Sequence, residues 1–150
     1  MRRTPMKRGA GPQRRVRLRA VGQRGLKLKD LDELLHDAVV KRDAYRCMRC
    51  TRCREQVVLQ AAHIYGKRAH PRMRYYLPNV ITLCKGCHFR WWHRVGFGRE
   101  AAPNNEVREW CLKVLGTEWM SDLDTRAGEP SQGRPKRDMK KIEAELRAAG

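Results

Sequence analysis

The chain has 150 residues, enough for one domain of ordinary size with tails, but with 41% hydrophobic residues, two Phe and 33% charged residues it has little from which to build a large apolar core. Its 34 Lys and Arg against 16 Asp and Glu give a formal net charge of +18, more than solubility requires, and imply a polyanionic partner. No run approaches the roughly 20 apolar residues of a spanning helix and the basic N-terminus lacks the apolar stretch of a signal peptide, so a soluble, cytoplasmic protein with no membrane partner is expected, its six cysteines serving as metal ligands and buried thiols rather than disulfides.

Residues 1–29 hold eleven Lys or Arg, no acid, four Gly and two Pro with no sustained period, the composition of a disordered basic arm. Such an arm is either a solvated tail or a sequence-independent phosphate contact, and the second would make binding strongly salt-dependent. The remaining 121 residues carry 23 basic and 16 acidic groups, so they are basic without it. From Leu31 to about Arg42, the residues Leu31, Leu34, Leu35, Ala38 and Val39 recur at three and four, the pattern of a helix with Asp30 as N-cap and Glu33 completing a capping box. His36 falls on the opposite face and reads as a surface histidine.

Cys47 and Cys50 form one Cys-x-x-Cys and Cys84 and Cys87 another, with 33 residues between. Two such turns can present four thiolates at about 2.3 Å to one structural Zn²⁺, which then cross-links segments with little core between them. The run CMRCTRC also contains Cys50 and Cys53 at the same spacing, so Cys53 is an alternative to Cys47. Between the knuckles, VVLQAA and NVITLC read as short strands joined by the basic, Pro-containing loop 66–78, and FRWWHRV continues the second knuckle as a helix. Adjacent residues on a helix face different ways, so one of Trp91 and Trp92 is expected in the core and the other outside.

A further helix is expected from Pro103 with Asn104 or Asn105 at its start, with Val107, Trp110, Cys111, Val114 and Leu115 on one face and Gly116 closing it. Cys111 on that face reads as a buried thiol. Residues 125–137 look like a polar linker, and a last helix from about Asp138 turns Met139, Ile142 and Leu146 inward. The fold class expected is α+β, a zinc-stapled β-β-α unit with flanking helices, divided into the arm 1–29, a central domain 30–120 and a linker with a short helix 121–150.

With four cysteines on zinc, His63, His88, His93 and Asn79 are left over. AAHI at 61–64, PNVITLC at 78–84 and CKGCH at 84–88 resemble the HNH endonucleases of the ββα-metal fold, over roughly residues 40–95. The layout, with a helix and an Arg-Asp pair in LHDAVVKRDAYRC before the first knuckle, is similar to NinG-like recombination nucleases and other small phage HNH proteins. The resemblance implies that His63 is the general base, that Asn79 holds the inter-strand loop and orients the base, and that His88 is a ligand of one catalytic divalent cation, Mg²⁺ or another. Two positions depart from the pattern. Ala62 stands where many members carry a metal-binding Asp or His, and Trp92 where some place a further histidine; His93, one residue later, would reach the cation only on an irregular helix, because five residues on an α-helix turn about 140° past the first. His70 in the loop is a weaker substitute.

Lys67, Arg68, Arg72, Arg74, Arg90 and Arg94 surround this site in sequence and read as a phosphate clamp. Nothing resembles a helix built to read base edges. The expected function is divalent-metal-dependent hydrolysis of DNA phosphodiester bonds with low sequence specificity or structure-directed specificity, by a homodimer if the flanking helices pair. The alternatives are a non-catalytic zinc-stabilised DNA-binding module, which Ala62 would suit, and a zinc-knuckle RNA-binding protein, which explains the charge and the cysteines but not the order of His63, Asn79 and His88.

Overall fold

The computed structural model describes residues 27–93, 103–129 and 138–150. The basic arm lies outside the described residues apart from 27–29, as do Arg94 and residues 130–137 of the linker. Helix α1 spans Leu28–Arg42 and buries Leu31, Leu35, Ala38, Val39 and Val40. It starts three residues earlier than the periodicity suggests: Lys27 is the N-cap, and Asp30 sits in the first turn with its carboxylate accepting the Lys27 backbone N–H at 3.0 Å. A carboxylate in that turn also favours the positive end of the helix dipole.

Strands β1 (Leu59–His63) and β2 (Val80–Cys84) pair antiparallel, with Leu59 opposite Cys84 and His63 opposite Val80. This register puts the second knuckle at one end of the ladder and His63 at the other, about 14 Å apart at ~3.4 Å per residue. Every residue of β2 is buried, because both faces of the sheet are covered. On one side Val80 packs with Leu31, Leu35, Val39 and Leu146; on the other, Ile81 and Leu83 join the larger cluster around Ile64, Trp92, Val107 and Met120.

After β2 the chain turns through the short helix α2 (Lys85–Cys87) into a π-helical turn, His88–Trp92, which runs back beside β1. Trp91 and Trp92 are both buried, contrary to the expectation that one would face out. The reason is that helix α3 (Asn105–Leu115) covers the far side: Trp91 donates to the Glu106 carboxylate at 2.8 Å and meets Trp110 edge-on at 5.3 Å, while Trp92 donates to the His63 carbonyl at 3.2 Å. Asn104 caps α3 by accepting the Val107 N–H at 2.9 Å. Gly116 closes the helix at φ +96°, a backbone angle that side chains with a Cβ rarely adopt.

Helix α4 spans Thr117–Gly128, so the first residues of the expected linker are helical, and it buries Met120 and Leu123. Helix α5 (Met139–Ala149), capped by Asp138, lies on α1 and buries Leu146 as expected. Among the described residues the architecture is α+β, one two-stranded antiparallel sheet between helices, and no helix is long and apolar enough to cross a membrane. Cys111 is fully buried on α3, and burial pushes its thiol up to about 12.

Candidate metal centres and active site

The two knuckles meet. The ligand atoms of Cys47, Cys50, Cys84 and Cys87 all lie within 4.8 Å of one another, and Cys50 Sγ is 3.7 Å from Cys84 Sγ. A tetrahedron with Zn–S bonds of ~2.3 Å has edges of about 3.8 Å, so the four sulfurs fit zinc in both type and spacing. Cys53 is outside the group. The first turn closes on Cys47 instead: its N–H donates to the Arg52 carbonyl at 2.9 Å and its carbonyl accepts the Thr51 N–H at 2.8 Å, with Thr51 at φ +59°. Met48 N–H then reaches the Thr82 carbonyl at 2.9 Å and pins the knuckle to β2.

The thiols differ in readiness to ionise. Burial pushes Cys47 up and Cys87 up to about 12. Burial opposes ionisation at Cys50 too, yet the Arg52 guanidinium, donating to its sulfur at 3.4 Å, brings it to about 6. Cys50 is therefore the thiol that ionises most readily, and a cation held by the four sulfurs would supply the charge that ionises the rest.

His63 ends β1 and lines a cleft of about 380 Å³ between α1 and β1, together with Asp32, His36, Gln60 and Lys67. Its Nε2 lies 2.9 Å from the Arg74 carbonyl, which only accepts, so the proton is on Nε2 and Nδ1 carries the lone pair. Burial outweighs the help of that hydrogen bond and lowers the His63 pKa below its usual 6.5, which keeps the ring neutral at pH 7. Arg74 itself is anchored from α1, where Asp32 takes its guanidinium in two parallel hydrogen bonds of 3.1 and 2.5 Å.

Asn79 immediately precedes β2 and is fully buried. Its Oδ1 accepts the Tyr65 N–H at 2.8 Å, and its Nδ2 donates to the carbonyls of Tyr65 at 3.0 Å and Met73 at 3.1 Å. One side chain thus ties the chain just after His63 to the residue just before Arg74, whose carbonyl orients His63. Replacing Asn79 with Ala leaves three buried backbone groups without this partner, and we expect a loss of about 2–4 kcal/mol in thermal or denaturant unfolding. From the other side α4 holds the same loop: Tyr65 donates to Asp124 at 2.5 Å, Tyr76 to Asp122 at 2.6 Å and Trp119 to the Pro78 carbonyl at 2.8 Å.

His88 and His93 stand together, their ring centroids 4.4 Å apart. The π-helical turn makes this so. The His93 N–H bonds to the His88 carbonyl five residues back, and closing the turn on the fifth residue stacks residue i+5 above residue i, where an α-helix would rotate it away. The irregularity that His93 needed is present. Burial first, then the charges of His93 and His63, lowers His88 to about 4, so its imidazole is neutral at pH 7 with a lone pair free for ligation. Its Nδ1 is 2.9 Å from Gln60 Oε1. Ala62 is fully buried and offers no donor.

His70 packs edge-on against Tyr65 at 5.1 Å. Of the basic residues, Lys67, Arg68, Arg72 and Arg90 are exposed, whereas Arg74 is engaged by Asp32. His36 is half-buried, with Nε2 3.3 Å from the Leu59 carbonyl. The Arg-Asp pair before the first knuckle is structural: Arg42 donates to the carbonyls of Leu77 at 2.9 Å and Val80 at 2.8 Å while bonded to Asp43, and Asp43 accepts the Thr82 N–H at 2.8 Å. Sequence reasoning missed Asp32 and Gln60. Gln60 at least left a sign, as the one polar side chain within VVLQAA. Compared with known proteins, the chain matches no family model, no curated protein and no solved structure.

Proposed function

We propose that the chain is a divalent-metal-dependent DNA endonuclease of the HNH, ββα-metal type, with Cys47, Cys50, Cys84 and Cys87 holding structural zinc. The observation that carries this reading is His63: a neutral imidazole at the end of a strand, with Nε2 tied to a backbone carbonyl and Nδ1 left to act as a base, in electrostatic reach of His88. In this role His63 Nδ1 takes the proton of the water that attacks the scissile phosphate. Asn79 fixes the loop that orients it, and Lys67, Arg68, Arg72 and Arg90 grip the phosphate backbone.

The catalytic cation falls to His88 and His93. When bound there, a divalent ion would polarise the phosphate and stabilise the leaving oxygen. Two imidazoles with no carboxylate suit Ni²⁺ or another nitrogen-preferring ion better than Mg²⁺, which favours oxygen ligands.

The deciding experiment is nicking of supercoiled plasmid in EDTA, Mg²⁺, Mn²⁺ or Ni²⁺, beside the His88→Ala variant. Cation-dependent relaxation that the variant loses is the expected result. The buried, donorless Ala62 favours a second reading, a DNA-binding module without catalysis. Retention of the plasmid by both proteins with no cleavage under any cation would replace the first reading with the second.

A further inference from the structure

Within β1, Gln60 is the one polar residue before His63. Alternate side chains of a strand share a face, so Gln60 and Ala62 lie on the same face, the face where the cation site lacks a donor. Gln60 Oε1 contacts Nδ1 of His88 at 2.9 Å. An amide oxygen can only accept, so this contact requires the His88 proton on Nδ1 and leaves the lone pair on Nε2. An imidazole without such a partner exchanges its proton between both nitrogens, and the form protonated on Nε2 cannot ligate through that atom. Gln60 and His88 are both half-buried, so solvent is a poor replacement for the acceptor.

We propose that Gln60 is a positioning residue for the cation site: by accepting the Nδ1 proton of His88 it fixes the tautomer and ring angle that present Nε2 as a ligand beside His93. This offsets part of what Ala62 fails to supply. A ligating histidine commonly donates its other ring N–H to a fixed acceptor, and losing that acceptor typically costs about 10–100-fold in metal affinity. The inference rests on the reading of His88 as a cation ligand.

Two measurements on the zinc-loaded full chain test it, with Gln60→Met, Gln60→Glu and His88→Ala as variants. Met keeps much of the Gln volume without the acceptor, and Glu restores an acceptor. Long-range proton–nitrogen correlation spectra of the imidazoles, recorded without added cation, should place the His88 proton on Nδ1 in the wild type and in Gln60→Glu. Gln60→Met should show both tautomers. Calorimetric titration with Ni²⁺ should show 10–100-fold weaker binding to Gln60→Met, recovery in Gln60→Glu and no binding at this site in His88→Ala. A wild-type His88 protonated on Nε2, or Ni²⁺ affinity unchanged in Gln60→Met, overturns the role of Gln60 while leaving the cation site standing. Equal Ni²⁺ binding by wild type and His88→Ala overturns the site itself, and Gln60 with it.

Discussion

Replacing His63 with Ala is expected to slow plasmid nicking by about 10²–10⁴-fold, the range for loss of a positioned general base. Folding should survive the change. The half-buried imidazole makes one hydrogen bond, to the Arg74 carbonyl, and lines a cleft rather than belonging to either buried apolar cluster, so its loss costs on the order of 1 kcal/mol. Zinc content should therefore stay at the wild-type level while activity falls. The pH profile separates a base from a merely structural histidine. Burial holds the His63 pKa below its usual 6.5, so the neutral ring predominates at pH 7, and a base at this position should lose rate as pH drops through a value below 6.5. The residual activity of the variant should lack that acidic limb. Wild-type nicking by His63→Ala, in protein free of other nucleases, would remove His63 from the mechanism.

Stripping zinc is expected to unfold the knuckles and the sheet between them. Structural zinc contributes about 10–16 kcal/mol in small zinc domains at neutral pH, as much as the ~5–15 kcal/mol net stability of a typical domain. Cys47, Cys84 and Cys87 belong to the larger buried cluster, and the first knuckle is bonded directly to β2, so local loss propagates to the strand that ends beside Asn79. A strong chelator should release one zinc per chain and abolish the near-ultraviolet signal of the packed Trp91, Trp92 and Trp110 rings. Cys53→Ser should still hold one zinc, and Cys47→Ser should lose it. An apo chain with its aromatic signal intact, or zinc retention that depends on Cys53, would contradict the assignment.

The pairing of the knuckles and the two strands was legible because it depends on spacing and on runs of apolar residues, both local properties. Spacing favoured Cys47 but left Cys53 as an alternative, since the choice depends on which residue the turn's backbone hydrogen bonds close upon, and they close on Cys47. Asn79 could be placed by its motif, but its three bonds to Tyr65 and Met73 belong to the loop conformation. Asp32 gave no sign of its role: its partner Arg74 is 42 residues away, and nothing local to either residue links them. Helix α4 was hidden by composition, because among its twelve residues only Met120 and Leu123 are buried. Trp91 and Trp92 misled the reading because helical periodicity assumes one buried face, and here α3 supplies a second.

The π-helical turn makes the segment between His88 and His93 tolerant of a change in length. Such a turn is an α-helical turn with one residue added, and Arg90 within it is exposed, so it could be deleted with little loss of packing, whereas the Phe89 ring lies against both His88 and His93. The two histidines would then stand four apart on an ordinary α-helix, about 40° around from each other and still neighbours. Adding a residue has no such remedy, since a sixth position is adjacent to the first in neither kind of helix. A lineage carrying this fold can therefore drift between the four- and five-residue spacings without parting the imidazoles, and length variation here should run in one direction only.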